Sequence, residues 1–258
     1  MKRYRWLLGC CLFLSIGMLW AADEPDLRML QQKAAQSRDM EGYVGVCKYL
    51  YQTEENPELL LLYADSIHQL ATKSKKSEQL VEYYIWASEG NFIKGDFQQG
   101  YALKRKAIAL AEKAGLKFAI SQSCCDMGYY CNVDARYDSA RYYFRKGLEA
   151  GEDLSEAGEA CRTMLTNYAS SFLFEGKTDS ALVYTIRASE RSAADKDTAM
   201  LIENLNQLGT IYRRKKDLEN CIANFEQALH LCELRGNHNA VAFIYGNIAT
   251  AYCDWNRP

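Results

Sequence analysis

The chain has 258 residues, of which 48% are hydrophobic and 25% are charged, and its formal net charge is −2. This composition is typical of a globular protein and excludes an intrinsically disordered one. A mildly acidic chain also lacks the basic surface that general nucleic-acid binding requires, so we expect no nucleic-acid partner through this region.

The N-terminus has the layout of a secretory signal peptide. Residues 1–5 carry three basic side chains, residues 6–20 form an uncharged and mostly apolar run, and two alanines follow. The apolar run is shorter than the ~20 residues that a membrane-spanning helix needs. We therefore predict that residues 1–22 are a signal peptide and that the mature protein is exported, to the periplasm.

Two other interpretations of this segment stay open. If it is not cleaved, it would tether the protein to a membrane. The run Leu7-Leu8-Gly9-Cys10 resembles a lipoprotein box, although a lipidated Cys10 would leave a long apolar segment on the mature protein. Removal of residues 1–22 would leave 28 basic and 33 acidic side chains, and hence a net charge of −5.

The placement of proline indicates an all-α chain. The three prolines are residues 25, 57 and 258, so none interrupts the residues between Pro57 and Pro258. Proline breaks helices because its ring clashes with the preceding turn and it has no backbone N–H. A stretch of this length without proline fits poorly with a β-sandwich, whose turns usually contain proline and glycine.

Residues 23–76 are predicted to form a degenerate repeat or an N-terminal cap made of three helices. Asn56 and Pro57 mark the start of the third, because asparagine caps helices and proline suits the first helical position. The apolar residues that follow continue at helical spacing. The three helices are predicted at residues 26–36, 40–52 and 57–73.

From residue 77 the sequence repeats with a fixed period. When the chain is aligned on one small residue per unit, successive anchors lie 40, 41, 40 and 40 residues apart. A constant period of this size is typical of stacked helical repeats. We predict a repeat array over residues 77–258 whose last unit is incomplete. The five anchors are Ser88, Gly128, Ala169, Gly209 and Ala249.

The residues around the anchors resemble the tetratricopeptide repeat. In the fourth unit, Leu208, Gly209 and Tyr212 lie on the first helix of a pair, and Phe225 and Ala228 lie on the second. The units are about six residues longer than the usual 34, and in this they are similar to the long repeats of the kinesin light chain and of bacterial signalling proteins. The extra residues are expected to lengthen the second helix.

This resemblance implies an all-α fold, a right-handed solenoid of antiparallel helix pairs. Small anchor residues let the paired helices approach closely, and large residues on the same face fill the space between neighbours. The first unit departs from the pattern, since Lys104 stands where an aromatic residue belongs. The resemblance also implies a non-enzymatic scaffold, whose concave surface binds a partner peptide or helix.

The first helix of each pair lines that concave surface in the resembling proteins. When the anchor is counted as position 8, position 6 is polar in four of the five units. In the kinesin-light-chain type, asparagine at this position holds the backbone of an extended peptide, because an amide both donates and accepts hydrogen bonds. The alternative is a solvated groove without a ligand. Position 6 carries Trp86, Asp126, Asn167, Gln207 and Asn247, and the other candidates are Tyr129, Asn132, Asn206, Thr210, Arg213, Thr250 and Asp254.

No motif for catalysis, metal binding or cofactor binding is present in the sequence. There is no CxxC pair, and the spacing of His230, Cys232 and His238 fits no structural metal site. No glycine-rich phosphate loop, G-x-S-x-G elbow or HExxH helix occurs. Several of the eight cysteines beyond residue 22 fall at buried positions of the repeat, and a disulfide among them is left open. We predict no catalytic residue, no metal and no cofactor.

The last predicted helix, at residues 242–254, is not followed by the second helix of its pair. We expect its apolar side chains to be partly uncovered, which favours self-association, and we expect the chain to be part of a longer protein. The alternative function is then the sensory ectodomain of a transmembrane regulator with a histidine kinase or helix-turn-helix output. The intact mass of the native protein distinguishes the two.

Overall fold

A computed structural model describes residues 27–53 and 56–255. The predicted signal peptide of residues 1–22, the lipoprotein box at Cys10 and the last residue, Pro258, therefore lie outside the described residues. The described residues form twelve α-helices and no strand, which confirms the all-α prediction. None of these helices is both long enough and apolar enough to cross a membrane.

The three helices predicted near the N-terminus agree with the structure to within one residue at each end. A short 3₁₀ helix, Ser155–Ala157, lies between the seventh and eighth α-helices. In chain order the helices are α1 Leu27–Ser37, α2 Met40–Thr53, α3 Pro57–Ser74, α4 Ser77–Lys94, α5 Phe97–Ala114, α6 Lys117–Val133, α7 Tyr137–Gly151, α8 Gly158–Phe174, α9 Thr178–Ala194, α10 Thr198–Arg214, α11 Leu218–Leu234 and α12 His238–Trp255.

Regular helix length explains the 40-residue period. In the pair α10 and α11 each helix has 17 residues, and in the pair α4 and α5 each has 18. The extra length over the 34-residue norm is thus shared by both helices, and the prediction that it lengthens the second helix was wrong. Most of the short turns contain one residue with a left-handed backbone, such as Gly95 (φ 91°) and Gly236 (φ 66°), where glycine carries no steric penalty.

At several turns an aspartate or asparagine immediately precedes the next helix and caps its start. The carboxylates of Asp96, Asp197 and Asp217 each accept a hydrogen bond at 3.1 Å from the backbone N–H three residues further on. Asn56 does the same at 2.9 Å, and Pro57 occupies the first helical position, which confirms the predicted start of α3. These caps satisfy donors that a helix N-terminus leaves without a partner.

Contacts divide the described chain into two compact units. The N-terminal unit comprises residues 27–127 and 149–157, and the C-terminal unit comprises residues 128–148 and 158–255. The core of the N-terminal unit packs buried residues of α2 to α4, such as Val46, Ile67 and Trp86. In the C-terminal unit, buried residues of α10 to α12 form a second core. Its members include Leu205, Leu208, Phe225, Ala228 and Ile244.

The anchor residues set the distance between paired helices in the C-terminal unit. Gly209 of α10 lies against the ring of Phe225 of α11, and a Cβ at this glycine would come within 2.5 Å of the ring atom Cε1. Gly128 faces Phe144 in the same way. In the third repeat, Ala169 stands at the anchor, and fully buried Thr185 takes the place of the phenylalanine in sequence. In this repeat the Cβ of the anchor therefore goes together with a smaller residue at the second position.

In the first repeat, which lies in the N-terminal unit, the aromatic ring and the glycine stand on the opposite helices of the pair. Its ring comes from the first helix, where Phe92 of α4 packs against Gly100 of α5, and a Cβ at that glycine would come within 2.7 Å of the ring. Ser88 and Lys104 occupy the positions that correspond to Gly209 and Phe225, and both are fully buried. The departure that the sequence shows at Lys104 is therefore a real change of packing, with a ring elsewhere in the same pair.

Candidate protein-interaction surface

The solvent-accessible side of α10 includes a stripe at helical spacing. Glu203, Asn206, Thr210 and Arg213 are half-buried, at intervals of three or four residues along the helix. The same helix contacts α8 on one side and α12 on the other, so the three first helices lie side by side. We define the A-face of the C-terminal unit as Asn167, Glu203, Asn206, Thr210, Arg213, Asn247 and Thr250.

Two asparagines join neighbouring repeats at the A-face. The side-chain Nδ2 of Asn247 on α12 donates a hydrogen bond to Oδ1 of Asn206 on α10 at 2.8 Å. Among the described residues, Nδ2 of Asn206 and Oδ1 of Asn247 make no hydrogen bond. The pair therefore keeps one donor and one acceptor for another molecule, which is the combination that a peptide backbone amide needs.

The other predicted residues on this surface are held by bonds to their own or a neighbouring helix. The hydroxyls of Thr210 and Thr250 donate to backbone carbonyls four residues earlier, at 3.1 and 2.7 Å. The amide of Asn167 donates in the same manner to the carbonyl of Thr163 at 3.1 Å. The guanidinium of Arg213 contacts Asp254 of α12 at 3.4 Å. The structure thus brings these residues of α8, α10 and α12 onto one surface.

Gln207 was predicted as a groove residue, but its side-chain amide makes hydrogen bonds to residues of the neighbouring helices. Its Nε2 donates to Ser170 of α8 at 2.7 Å, and its Oε1 accepts from the hydroxyl of Thr185 on α9 at 3.0 Å. Asn132 is buried, and its amide nitrogen donates to the carbonyl of Asn167 at 3.0 Å. We assign both side chains to the interface between repeats, since buried polar groups need partners.

Asp126 belongs to a buried ion cluster in the N-terminal unit. The ammonium of fully buried Lys104 pairs with the carboxylates of Glu89 and Asp126, the latter at 3.0 Å. Burial opposes the charge on Lys104, but the two carboxylates outweigh it and raise the lysine pKa. Trp86, at the same repeat position as Asp126, is buried and donates to Glu82 at 2.9 Å. Tyr129, in the C-terminal unit, is half-buried, and its ring lies 5.4 Å from that of Tyr130.

Glu203 is the A-face residue that the sequence analysis missed. Its carboxyl makes no hydrogen bond and no ion pair among the described residues. Burial, and to a lesser degree the negative charge of Asp197, raise the pKa of this carboxyl to about 8. The signal in the sequence was a glutamate three residues before Asn206, on the same side of the helix, in a segment otherwise free of charge.

An open apolar groove lies between α11 and α12, outside the A-face. Leu218 and Ile222 of α11 form one wall, Tyr252 and Trp255 of α12 form the other, and the volume is about 840 Å³. Both aromatic side chains are 47% exposed, as the sequence predicted for the last helix. The charged residues that line the groove are Lys216, Asp217, Glu219 and Glu226.

The described cysteines belong mainly to the core. Seven of the eight are buried and Cys253 is exposed. Burial raises the pKa of Cys47 to about 12 and also raises those of Cys221 and Cys232, which disfavours the reactive thiolate. No three or more His, Cys, Asp or Glu side chains in the described part of the chain are grouped in a way that could hold a metal ion.

Comparisons with known proteins agree with this architecture. Residues 198–258 match the tetratricopeptide repeat family model. No curated protein sequence matches the chain. The structure of the apo form of RapI superposes with a TM-score of 0.70 at 9% identity, covering 98% of this chain and 71% of that one. BtubC (BKLC) from P. vanneervenii gives 0.64 at 16% identity, covering 81% and 84% of the two chains.

A further structure, aspartyl phosphate phosphatase F from Bacillus subtilis, has a TM-score of 0.60 at 14% identity, covering 95% of this chain and 68% of that one. At such identities the likeness shows the fold alone. The helix pairs, the 40-residue period and the family match together define the class: this chain is a helical repeat protein of the tetratricopeptide type. Repeats of this class typically serve as scaffolds for protein binding.

Proposed function

We propose that the A-face of the C-terminal unit binds an extended segment of a partner protein. The observation that carries this proposal is the Asn206–Asn247 pair, which keeps one amide donor and one acceptor at the surface. A backbone amide of the partner would accept from Asn206 and donate to Asn247, so the contact depends little on the partner's sequence. Thr210, Arg213 and Thr250 would lie beside the bound backbone.

Removal of both amides tests this proposal. The variant Asn206→Ala/Asn247→Ala is expected to bind a peptide, selected on the full chain from a random library, at least ~10-fold more weakly, because two hydrogen bonds of about 1 kcal/mol each are lost. Dissociation constants measured by fluorescence anisotropy give the comparison. Asn220→Ala/Asn224→Ala, which removes two amides from α11, serves as the matched control and should bind like the parent. Equal affinity in all three proteins would contradict the proposal.

We also propose that the groove between α11 and α12 mediates self-association. Tyr252 and Trp255 leave about half of their surface exposed there, beside the apolar residues Leu218 and Ile222. Covering this surface with a second copy would remove apolar area from water. This surface is separate from the A-face, so self-association can be tested independently of partner binding.

Sedimentation equilibrium is expected to show a concentration-dependent dimer for the parent. Tyr252→Ser/Trp255→Ser should sediment as a monomer over the same concentrations, because the apolar contact is lost. Tyr142→Ser is a suitable control, since Tyr142 on α7 is 49% exposed, close to the exposure of Tyr252. A monomeric parent, or a double variant that dimerises like the parent, would exclude this surface as the contact.

A further inference from the structure

Glu203 is the one A-face carboxyl, and it has no cation beside it. The A-face residues nearest to it along α10 are the neutral Asn206 and Thr210, and the one cationic residue of the surface, Arg213, lies ten residues further along the helix. At ~1.5 Å per residue this is about 15 Å along the helix axis. Arg213 is moreover engaged with Asp254. Nothing in the described part of the A-face therefore neutralises Glu203.

The two arginines that contact the turn before α10 are already paired with its aspartates. Arg162 of α8 binds Asp195 and Asp197 at 3.0 and 2.9 Å. Arg191 of α9 also binds Asp195, at 2.9 Å. Of the described residues, Asp197 is the one whose charge shifts the pKa of Glu203, so α11 and α12 contribute no charge that acts on this carboxyl.

We propose that Glu203 receives a lysine or arginine side chain of the bound partner segment. A half-buried carboxylate without a counter-ion is unfavourable, and a cationic side chain would supply both the charge and the hydrogen-bond donors that it lacks. This inference rests on the proposed function, since it assigns the chemistry of the segment that the A-face binds. It adds a preference for basic side chains to the hydrogen bonds that the two asparagines make with the backbone of the partner segment.

Binding of a cationic side chain also changes the protonation state of Glu203. Free Glu203 is mainly protonated at pH 7, because its pKa is raised to about 8. A lysine or arginine binds the ionised form, so binding releases a proton and becomes tighter as the pH rises. With a pKa of about 8, the ionised fraction increases roughly eightfold between pH 7.0 and 8.5. Lysine stays protonated over this range, since its ordinary pKa is about 10.4.

Peptide pools with one fixed residue test the preference. Three bead-bound pools of random nonapeptides, with the central position fixed as lysine, glutamate or methionine, are incubated with the full chain. We expect the lysine pool to retain at least ~5-fold more protein than the other pools at pH 8.5, and less at pH 7.0. Glu203→Gln should abolish both the preference and the pH effect, whereas Glu219→Gln, an exposed carboxylate on α11, should keep both.

The outcomes separate this inference from the proposed function. Equal retention on all pools that is lost in Asn206→Ala/Asn247→Ala would refute the role of Glu203 and leave the A-face proposal intact. Lack of retention on every pool, or retention that none of the variants changes, would overturn both. Thermal unfolding controls for damage to the fold: Glu203→Gln should be at least as stable as the parent at pH 9, where the parent carries a half-buried charge.

Discussion

Lys104→Met is expected to destabilise the N-terminal unit by about 3–5 kcal/mol, since it leaves the buried carboxylate of Glu89 and the partly buried carboxylate of Asp126 without their cation. Lys104 is fully buried, and Glu89, one of its two partners, is only 3% exposed. The lysine pKa is raised in the folded state, so the contribution of the lysine charge is fully present below its unfolded pKa near 10.4 and is lost as the pH rises through the folded value. Urea unfolding at pH 7 measures the change.

The charge, and not the volume of the side chain, is the expected cause. Lys104→Met/Glu89→Met/Asp126→Asn should recover most of the lost stability, because replacing a whole buried ion cluster is often neutral or stabilising. Lys113→Met, at an exposed lysine on the same helix, is the matched control and should change the free energy of unfolding by less than about 0.5 kcal/mol. A Lys104→Met protein as stable as this control would show that the cluster does not stabilise the fold.

Phe225→Ala is expected to destabilise the C-terminal unit by about 3–5 kcal/mol, because it removes a fully buried ring from the contact between α10 and α11. Gly209→Ala should also be destabilising, since its Cβ would come within 2.5 Å of the ring. When the ring is absent, that clash is absent too. The double variant Gly209→Ala/Phe225→Ala should therefore be more stable than the sum of the two single changes predicts.

Thermal and urea unfolding of the four proteins complete this double-mutant cycle. The third repeat supplies the internal control, because its anchor is already Ala169 and its second position is Thr185. Thr185→Ala leaves no ring-sized cavity, and we expect it to cost about 1–2 kcal/mol for the lost hydroxyl bonds. If the changes in the free energy of unfolding caused by Gly209→Ala and Phe225→Ala were strictly additive, the ring of Phe225 would not require a glycine at position 209.

The helices and the period could be predicted from the sequence because they depend on local patterns. Asn56 and Pro57 start α3 through bonds within four residues, and the anchors recur because two helices and two short turns fill 40 residues. The close approach of the paired helices at Gly209 was also implied by the resemblance to the tetratricopeptide pattern. Such features need no knowledge of which side chains meet across the stacked repeats.

For most of the candidate site residues, the hydrogen-bond partners could not be predicted from local sequence patterns. Gln207 and Asn247 hold the same repeat position, yet the first bonds to Ser170 and Thr185 in the interior and the second bonds to Asn206 at the surface. The difference depends on partners 22 to 41 residues away in the chain. For the same reason a missing aromatic residue was visible at Lys104, but its two carboxylate partners were not.

Photo-crosslinking shows directly which surface of the protein binds the peptide. Benzoylphenylalanine is placed in the full chain at Thr210, on the A-face, or at Val183, which is 63% exposed on α9. Each protein is irradiated with the peptide selected on the parent. We expect that the peptide crosslinks to position 210 and that Asn206→Ala/Asn247→Ala removes this product. Crosslinking at position 183 with none at 210 would show that the partner binds another surface.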